Sequence, residues 1–171
     1  MAKNVSLIAL AVCLLAAAAA ALDFEQKHWY GQGILALPMG DFGDVANLGI
    51  GAGVGLSVPH SAELNFRGEV SYIHFLTEDY PGGDYSFSMI PILALAEYHL
   101  TDSPAYLLGG LGFVIGRSKV EFDNEDRSDT DTEIGLALGG GFALSPSLDL
   151  EGRLNLVSDA NSISAHLRFR F

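Results

Sequence analysis

Beyond residue 21 the chain has no cysteine, because its single Cys is Cys13. Disulfides, thiol nucleophiles and cysteine-based zinc sites are excluded from that part of the molecule. Positive charge is scarce as well: with Lys3 set aside, eight of the nine Lys and Arg remain against 21 Asp and Glu, a net charge of −13. An electrostatic grip on nucleic acid needs the opposite balance, so no nucleic-acid partner is expected. Past the N-terminus no stretch reaches the ~18 apolar residues of a helical membrane span, and none sustains a 3.6-residue period. Helical spans and helix bundles are therefore excluded, and the roughly 150 residues after the leader suffice for one domain.

Met1 to Ala21 reads as a signal peptide, with Lys3 in front, an apolar run from Val5 to Leu15 and Ala19-Ala20-Ala21 as a small-x-small exit. The expected organisation is a leader over 1–21 and one domain over 22–171. A lipoprotein signal at Cys13 would follow Val12, which is too large for such a site, and an anchor over Val5 to Leu22 would be left only if cleavage failed.

What is abundant is alternation of apolar and polar residues with period 2. Eight segments show it, at about 29–39, 47–58, 63–76, 85–100, 105–118, 132–144, 147–157 and 163–171. In the seventh, Leu148, Leu150, Leu154 and Leu156 share one face, and Asp149, Glu151, Arg153 and Asn155 share the other. The eighth sets Ile163, Ala165, Leu167, Phe169 and Phe171 against Ser164, His166, Arg168 and Arg170. An even number of strands is what an antiparallel barrel with both chain ends on one side requires.

Alternation alone also suits a soluble barrel with its apolar face inward. Glycine decides between the two. The non-apolar faces carry Gly at 49, 51, 53, 55, 110, 112, 116, 135, 139 and 141, and a water-facing strand gains nothing from glycine. With apolar side chains toward lipid, those glycines instead leave room inside a narrow lumen. The expected fold is all-β: an eight-stranded antiparallel transmembrane up-and-down barrel, monomeric, in the bacterial outer membrane.

Short links around Pro59–Ser61, Thr101–Pro104 and Ser145-Pro146 belong at the periplasmic end, and the longer links at Gly40–Ala46, Thr77–Asp84 and Lys119–Asp131 belong outside. Aromatic girdles are then expected at both interfaces. Trp29, Tyr30, Phe66, Tyr98, Tyr106, Phe142, Phe169 and Phe171 fall at the periplasmic ends, and Tyr72, Phe75, Tyr85 and Phe87 at the outer ends.

Several stretches also look familiar. Gly31-Gln32-Gly33, Pro38-Met39-Gly40-Asp41-Phe42, the alternating glycines of 49 to 55 and Arg67-Gly68-Glu69-Val70-Ser71-Tyr72 resemble the opening of the small outer-membrane β-barrel proteins, the OmpA/OmpX-like eight-stranded group. Pro91-Ile92 with Glu97-Tyr98, Gly109–Gly112 and Leu144–Leu148 fit the same pattern. The resemblance implies outer-membrane lipid and lipopolysaccharide as surroundings, no cofactor, and a C-terminal strand ending at Phe171 that the barrel assembly machinery reads. It leaves function open, since the group holds adhesins, envelope-stabilising proteins and narrow pores.

Three constellations could carry function. The lumen row collects Glu63, Arg67, Glu69, Glu97, Asp149, Glu151, Arg153, Arg168 and Arg170, with His99 and His166 beside them. Confined charges must pair, so a cross-barrel network that plugs the lumen is expected, a gated narrow pore being the alternative. Leu93, Leu95, Leu108 and Val114 on the same side would suit an apolar solute, but Arg67 and Arg153 oppose a greasy tunnel. The link from 119 to 131 is acidic, and Asp129, Asp131 and Glu133 have alternate spacing that could meet calcium, although the EF-hand glycine and closing acid are missing. A solvated mobile loop is the plainer expectation. Last, Ser71, His74, Glu78, Asp79, Ser86 and Ser88 are the material nearest to a lipid A-modifying enzyme. No spacing there is diagnostic, and a non-enzymatic envelope or surface-interaction role is expected. Thirteen of the 21 acids (41, 44, 78, 79, 84, 121, 123, 125, 126, 129, 131, 133 and 159) lie in or beside outer links, favouring a basic or metal-bridged partner.

Overall fold

A computed structural model describes residues 27–44, 46–76, 84–122, 125–158 and 160–171, with side chains described at all of these except 84, 85, 120–122 and 125–127. The leader expected at 1–21, the side chain of Tyr85, and Glu78, Asp79 and Asp159 lie outside the described residues, as do the side chains of Asp84, Glu121, Asp123, Glu125, Asp126 and Arg127.

Eight strands form one closed sheet: β1 (His28–Pro38), β2 (Gly49–Pro59), β3 (Leu64–Phe75), β4 (Asp84–His99), β5 (Ala105–Phe122), β6 (Glu125–Ser145), β7 (Leu148–Val157) and β8 (Ser162–Arg170). Every strand pairs antiparallel with its chain neighbours, and β1 pairs with β8 to close the barrel. Closure leaves no free edge around the wall, as a lipid environment demands of every backbone N–H and C=O. The seam ends where the Phe171 amide donates to the Trp29 carbonyl at 3.0 Å.

Period 2 sends one residue in two to each side. Leu35, Leu37, Ile50, Val54, Val70, Leu107, Leu111, Leu136, Leu138, Leu150, Ile163, Leu167 and Phe169 form an exposed apolar outer wall. Gln32, Arg67, Glu69, Glu97, Asp149, Glu151, Arg153, His166 and Arg168 are buried on the inside. This inversion, grease outside and charge within, is the membrane barrel's arrangement rather than the soluble one's.

Glycine makes the interior possible. Tyr30 faces Gly55 across the β1–β2 pair, and Tyr106 faces Gly141 across β5–β6. A Cβ on either glycine would fall inside the opposing phenol ring. Each tyrosine therefore lies flat on a glycine and fills the space that glycine vacates. Leu93, Leu95 and Leu108 pack with Tyr106 and Ala137 into a buried cluster, so they fill the β4–β6 side of the lumen.

The link between β5 and β6 departs from expectation. No loop runs from 119 to 131; the ladder continues through Lys119↔Ser128 and Glu121↔Asp126 to Phe122↔Glu125. The last β6 residue with a β7 partner is Gly135, paired with Val157, so 125–134 rise past that neighbour as a ribbon. Apolar alternation stops at the membrane boundary, but backbone pairing does not need it, and sequence periodicity therefore ended the strands early. Gly40–Asp44, expected as a tight loop, forms a 3-10 turn after Gly40 at φ +63°. That left-handed backbone favours glycine. The turn places Phe42 over the barrel mouth, edge-on to Phe75 at 4.9 Å and to Phe87 at 5.1 Å.

Candidate functional site

The lumen is built in layers. Arg67 on β3 reaches three acids: Nη1 lies 2.6 Å from Glu97 Oε2 and 2.8 Å from Glu151 Oε2, and Nη2 lies 3.1 Å from Glu69 Oε2. Arg153 on β7 pairs with both Glu69 and Glu151. Arg168 on β8 joins Glu97 at 2.9 Å and Asp149 at 2.8 Å, and the half-buried Arg170 meets Asp149 at 2.8 Å. Four guanidinium groups thus face four carboxylates, and each arginine except Arg170 serves at least two acids. Planar forks suit such sharing better than the point charge of lysine would, and among the described residues the barrel interior contains no lysine.

The two glycine-seated tyrosines complete this layer. Tyr30 donates to Glu69 at 2.8 Å and accepts from Arg67 Nε at 3.3 Å. Tyr106 donates to Glu151 at 2.9 Å and accepts from Arg168 at 3.3 Å. The Arg168 guanidinium carbon sits 5.2 Å from the Tyr30 ring centre and 5.3 Å from that of Tyr106, between two π faces. Sequence reasoning expected both tyrosines at the membrane interface. They are 1% and 2% exposed instead, because each shares the inward parity of its strand: Tyr30 with Gln32 and Ile34, Tyr106 with Leu108 and Gly110.

The same parity corrects two further aromatics. Phe75, 1% exposed, follows Arg67, Glu69, Ser71 and Ile73 inward, and Phe87 packs against Phe42 and Phe75 inside the mouth. Trp29, Tyr72, Tyr98, Phe169 and Phe171 do face outward. Glu63 is not in the lumen: it lies in the β2–β3 turn, exposed, and accepts from Tyr98 Oη at 3.0 Å. It precedes the first ladder pair, Leu64↔Tyr98, where alternation no longer fixes direction.

His166 sits one layer above the charges in a neutral chain. Gln32 donates from Nε2 to Ser71 at 3.0 Å, and its carbonyl oxygen faces His166 Nδ1 at 3.1 Å. A carbonyl only accepts, so Nδ1 carries the proton and Nε2 accepts from Ser164 at 2.8 Å. Asn155 caps the layer by donating to Ser164 at 2.8 Å. At the other end Glu97 also meets Asn65 at 3.1 Å and His99 at 2.8 Å.

Above the polar layers, Ile34, Ala36, Ile73, Phe75, Met89, Val114, Val157 and Ala160 form an apolar plug with Phe42 on top. Over it opens a vestibule of about 280 Å³, floored by Phe42, Phe87, Met89, Val114, Val157 and Ala160 and walled on one side by Asp129, Asp131 and Glu133 of the β6 ribbon. Among the described residues no group of three or more His, Cys, Asp or Glu could hold a metal ion. Ribbon spacing explains this for 129, 131 and 133, because same-face residues on a strand are about 7 Å apart.

The start of β1, the end of β8 and three links of two to five residues (60–63, 100–104 and 146–147) lie at one end of the barrel. Those features mark the periplasmic end and put the vestibule outside. Closed, antiparallel, lipid-faced and charge-filled, the molecule is of the outer-membrane barrel class. The family model for the outer membrane protein beta-barrel domain matches residues 7–171, and the chain belongs to that family. Its place is the bacterial outer membrane. No curated protein matches the sequence.

Solved structures similar to it are small outer-membrane barrels. Ail, the attachment invasion locus protein of Yersinia pestis, is 15% identical with a TM-score of 0.65, covering 85% of this chain and 97% of its own. Neisserial surface protein A is 20% identical at 0.57, with 85% and 97% covered. The N-terminal barrel of Pseudomonas aeruginosa OprF is 7% identical at 0.60, with 84% and 97% covered. At such identities the likeness concerns the fold.

Proposed function

We propose that the protein is a non-enzymatic, closed barrel that stabilises the envelope and presents an acidic outer end to a cationic partner. The observation that carries this reading is the balance of the lumen: four arginines against four acids, all but Arg170 buried. Opening a water path would separate charges that are paired several ways at once, each left without compensation in a confined space. The apolar plug above the network adds a second barrier of different chemistry. Support for the surface role comes from the vestibule, whose acidic wall and aromatic floor suit a cation with an apolar body. Assembly by the barrel machinery through the strand ending at Phe171, and contact with lipopolysaccharide around the wall, belong to the same reading.

Against a lipid A-modifying enzyme, Ser71 points inward and is buried, and His74 points outward on the same strand. Across the outer wall His74 is opposite Ser88, but among the described residues the His74 side chain makes no hydrogen bond. Planar-bilayer recording of the refolded protein tests the closed reading against the narrow pore. Little or no steady conductance is expected, and large stable openings would overturn it. Mass spectrometry of lipid A from cells with and without the protein tests the enzyme, with identical spectra expected.

A further inference from the structure

Above the rim the β6 ribbon has a strand on one side only. β5 pairs with it up to Phe122↔Glu125, but β7 ends at Gly135↔Val157, where the chain turns back and the Ala160 amide donates to the Val157 carbonyl at 3.1 Å. Register fixes which backbone groups are left over. The Ala143 amide donates to the carbonyl of Pro104, just before β5, and the β5–β6 register runs unshifted from there to Glu125. Odd-numbered residues of β6 therefore bond β5, and even-numbered ones face the other side. Among the described residues Ser128, Thr130 and Thr132 turn their N–H and C=O groups to an edge where no strand lies. The Thr130 N–H meets only the Asp129 carboxylate beside it, at 3.0 Å.

The same parity sorts the side chains. Asp129, Asp131 and Glu133 wall the vestibule together with Asp41, and their β5 partners Ser118, Gly116 and Val114 are neutral. Among the described residues none of these three carboxylates has an ion-pair partner. The row ends at Arg127, the next position of the same parity. The outward face selects no charge, since Arg117 and Lys119 have Asp84, Glu121 and Asp126 in the outward row above them.

We propose that the free edge of β6 over 128–134 takes up an extended basic segment of a partner protein as a further strand, with alternate Lys or Arg side chains of that segment turned into the vestibule. A row of unpaired backbone groups outside the membrane is a template for strand addition, in which the main chain supplies affinity and alternate side chains supply specificity. A strand bonded antiparallel to this edge continues upward in line with β7. Its residues opposite Asp129, Asp131 and Glu133 share their face, with Cβ atoms about 5 Å away, so Lys or Arg at those places meets a carboxylate. The vestibule of about 280 Å³, with Phe42 and Phe87 in its floor, receives the apolar stems of such side chains. A second copy of this chain fits poorly. Antiparallel pairing of one β6 edge with another that keeps the inward faces together sets Asp129, Asp131 and Glu133 against one another, and like charges directly opposite destabilise a strand pair. The row that keeps the edge from pairing with itself thus admits a strand of the opposite sign.

This inference deepens the cationic-partner reading and rests on it, but not on the closed lumen, so conductance results leave it intact. A fluorescein-labelled peptide of alternating Thr and Lys, matched to the length of 128–134 and placing Lys opposite 129, 131 and 133, is titrated into the refolded protein in dodecyl maltoside, and binding is read by anisotropy. In the proposed pairing the Thr amides of the peptide bond β6 and the Lys amides point away. N-methylation of the Thr amides should therefore weaken binding at least about ten-fold, whereas N-methylation of the Lys amides, at the same charge, should leave it within about three-fold. T130P/T132P removes two edge N–H groups without touching the β5 bonds or the charge, and should lose about ten-fold or more. D129N/D131N/E133Q should lose a similar factor together with the salt dependence of binding. Equal binding of the two methylated peptides, or undiminished binding by T130P/T132P, would overturn strand addition while leaving a cationic partner in place. Undiminished binding by D129N/D131N/E133Q would overturn the role of the acidic row, and no saturable binding of the parent peptide up to about 1 mM would overturn both the inference and the reading beneath it. Should T130P/T132P not fold, the two methylated peptides on the parent protein decide alone.

Discussion

Arg67 and Glu151 are 84 residues apart in sequence and meet at 2.8 Å on the barrel axis, with no measurable exposure of either side chain. One lies on β3 and the other on β7, on opposite sides of the closed sheet, so the bridge ties the wall together across its diameter. Tyr106 and Arg153 also bond the Glu151 carboxylate, and the Tyr30 hydroxyl accepts from Arg67 Nε, so both members of the bridge have further partners.

Arg67→Met should be severely destabilising. It removes one cation from contact with Glu69, Glu97 and Glu151, and the loss of one partner of a buried pair costs about 3–5 kcal/mol. Urea unfolding in detergent micelles, followed by the heat-sensitive gel migration of folded barrels, measures it. Adding Glu151→Met to Arg67→Met removes one orphaned acid, so the double variant should be more stable than the sum of the single losses implies, by about 1–3 kcal/mol. Strict additivity would mean that the two groups do not act through each other.

Gly55→Ala tests the tyrosine seat. The new methyl would lie where the Tyr30 ring now lies, and overpacking of this kind costs about 1–3 kcal/mol. Tyr30→Leu in the same chain returns the space but not the hydrogen bond to Glu69. Rescue should therefore be partial. Gly141→Ala should behave alike through Tyr106, whereas Gly152→Ala, with open space where its Cβ would go, should be near neutral in the same unfolding assay.

How much of this was legible in the sequence follows from what alternation reports. It located the eight strands and sorted Leu150 from Glu151 without ambiguity, because neighbouring residues differ in polarity. It failed where side-chain polarity is mixed: a tyrosine at a strand end suits an interface and a charged lumen equally well. Counting parity from Arg67 to Phe75, or noticing that Tyr30 and Tyr106 are each followed by lumen residues two positions on, would have turned all three inward. The β6 ribbon was missed for a different reason. Residues 125–134 have no apolar face to alternate, and only the backbone ladder defines them as strand. The separation of Arg117 from Asp129 by sheet face was likewise invisible without register.

Leu138→Arg probes the solvent of the outer wall. Leu138 is in the middle of the apolar stretch of β6 and is half exposed. On a water-facing strand this substitution would change stability by a few tenths of a kcal/mol. At the midplane of a bilayer it should cost about 2–4 kcal/mol. Folding into phospholipid vesicles across a urea series distinguishes the two, and Leu150→Arg, nearer the periplasmic end, should cost less than Leu138→Arg.

Removal of Phe171 separates folding from delivery. The residue is 79% exposed, and its backbone N–H donates a hydrogen bond to the Trp29 carbonyl at the seam. One solvent-accessible hydrogen bond at the end of a strand is worth about 0.5–1.5 kcal/mol, so the purified, refolded protein without Phe171 should unfold at nearly the parent urea concentration. If the terminal aromatic is what the assembly machinery reads, the same deletion should lower the amount of barrel in the outer membrane of growing cells several-fold, with the remainder unfolded in the periplasm. Equal amounts in the membrane would mean that the outward row Ile163, Ala165, Leu167 and Phe169 is sufficient for delivery. A matching loss in both assays would instead show that the seam hydrogen bond, not recognition, is what Phe171 contributes.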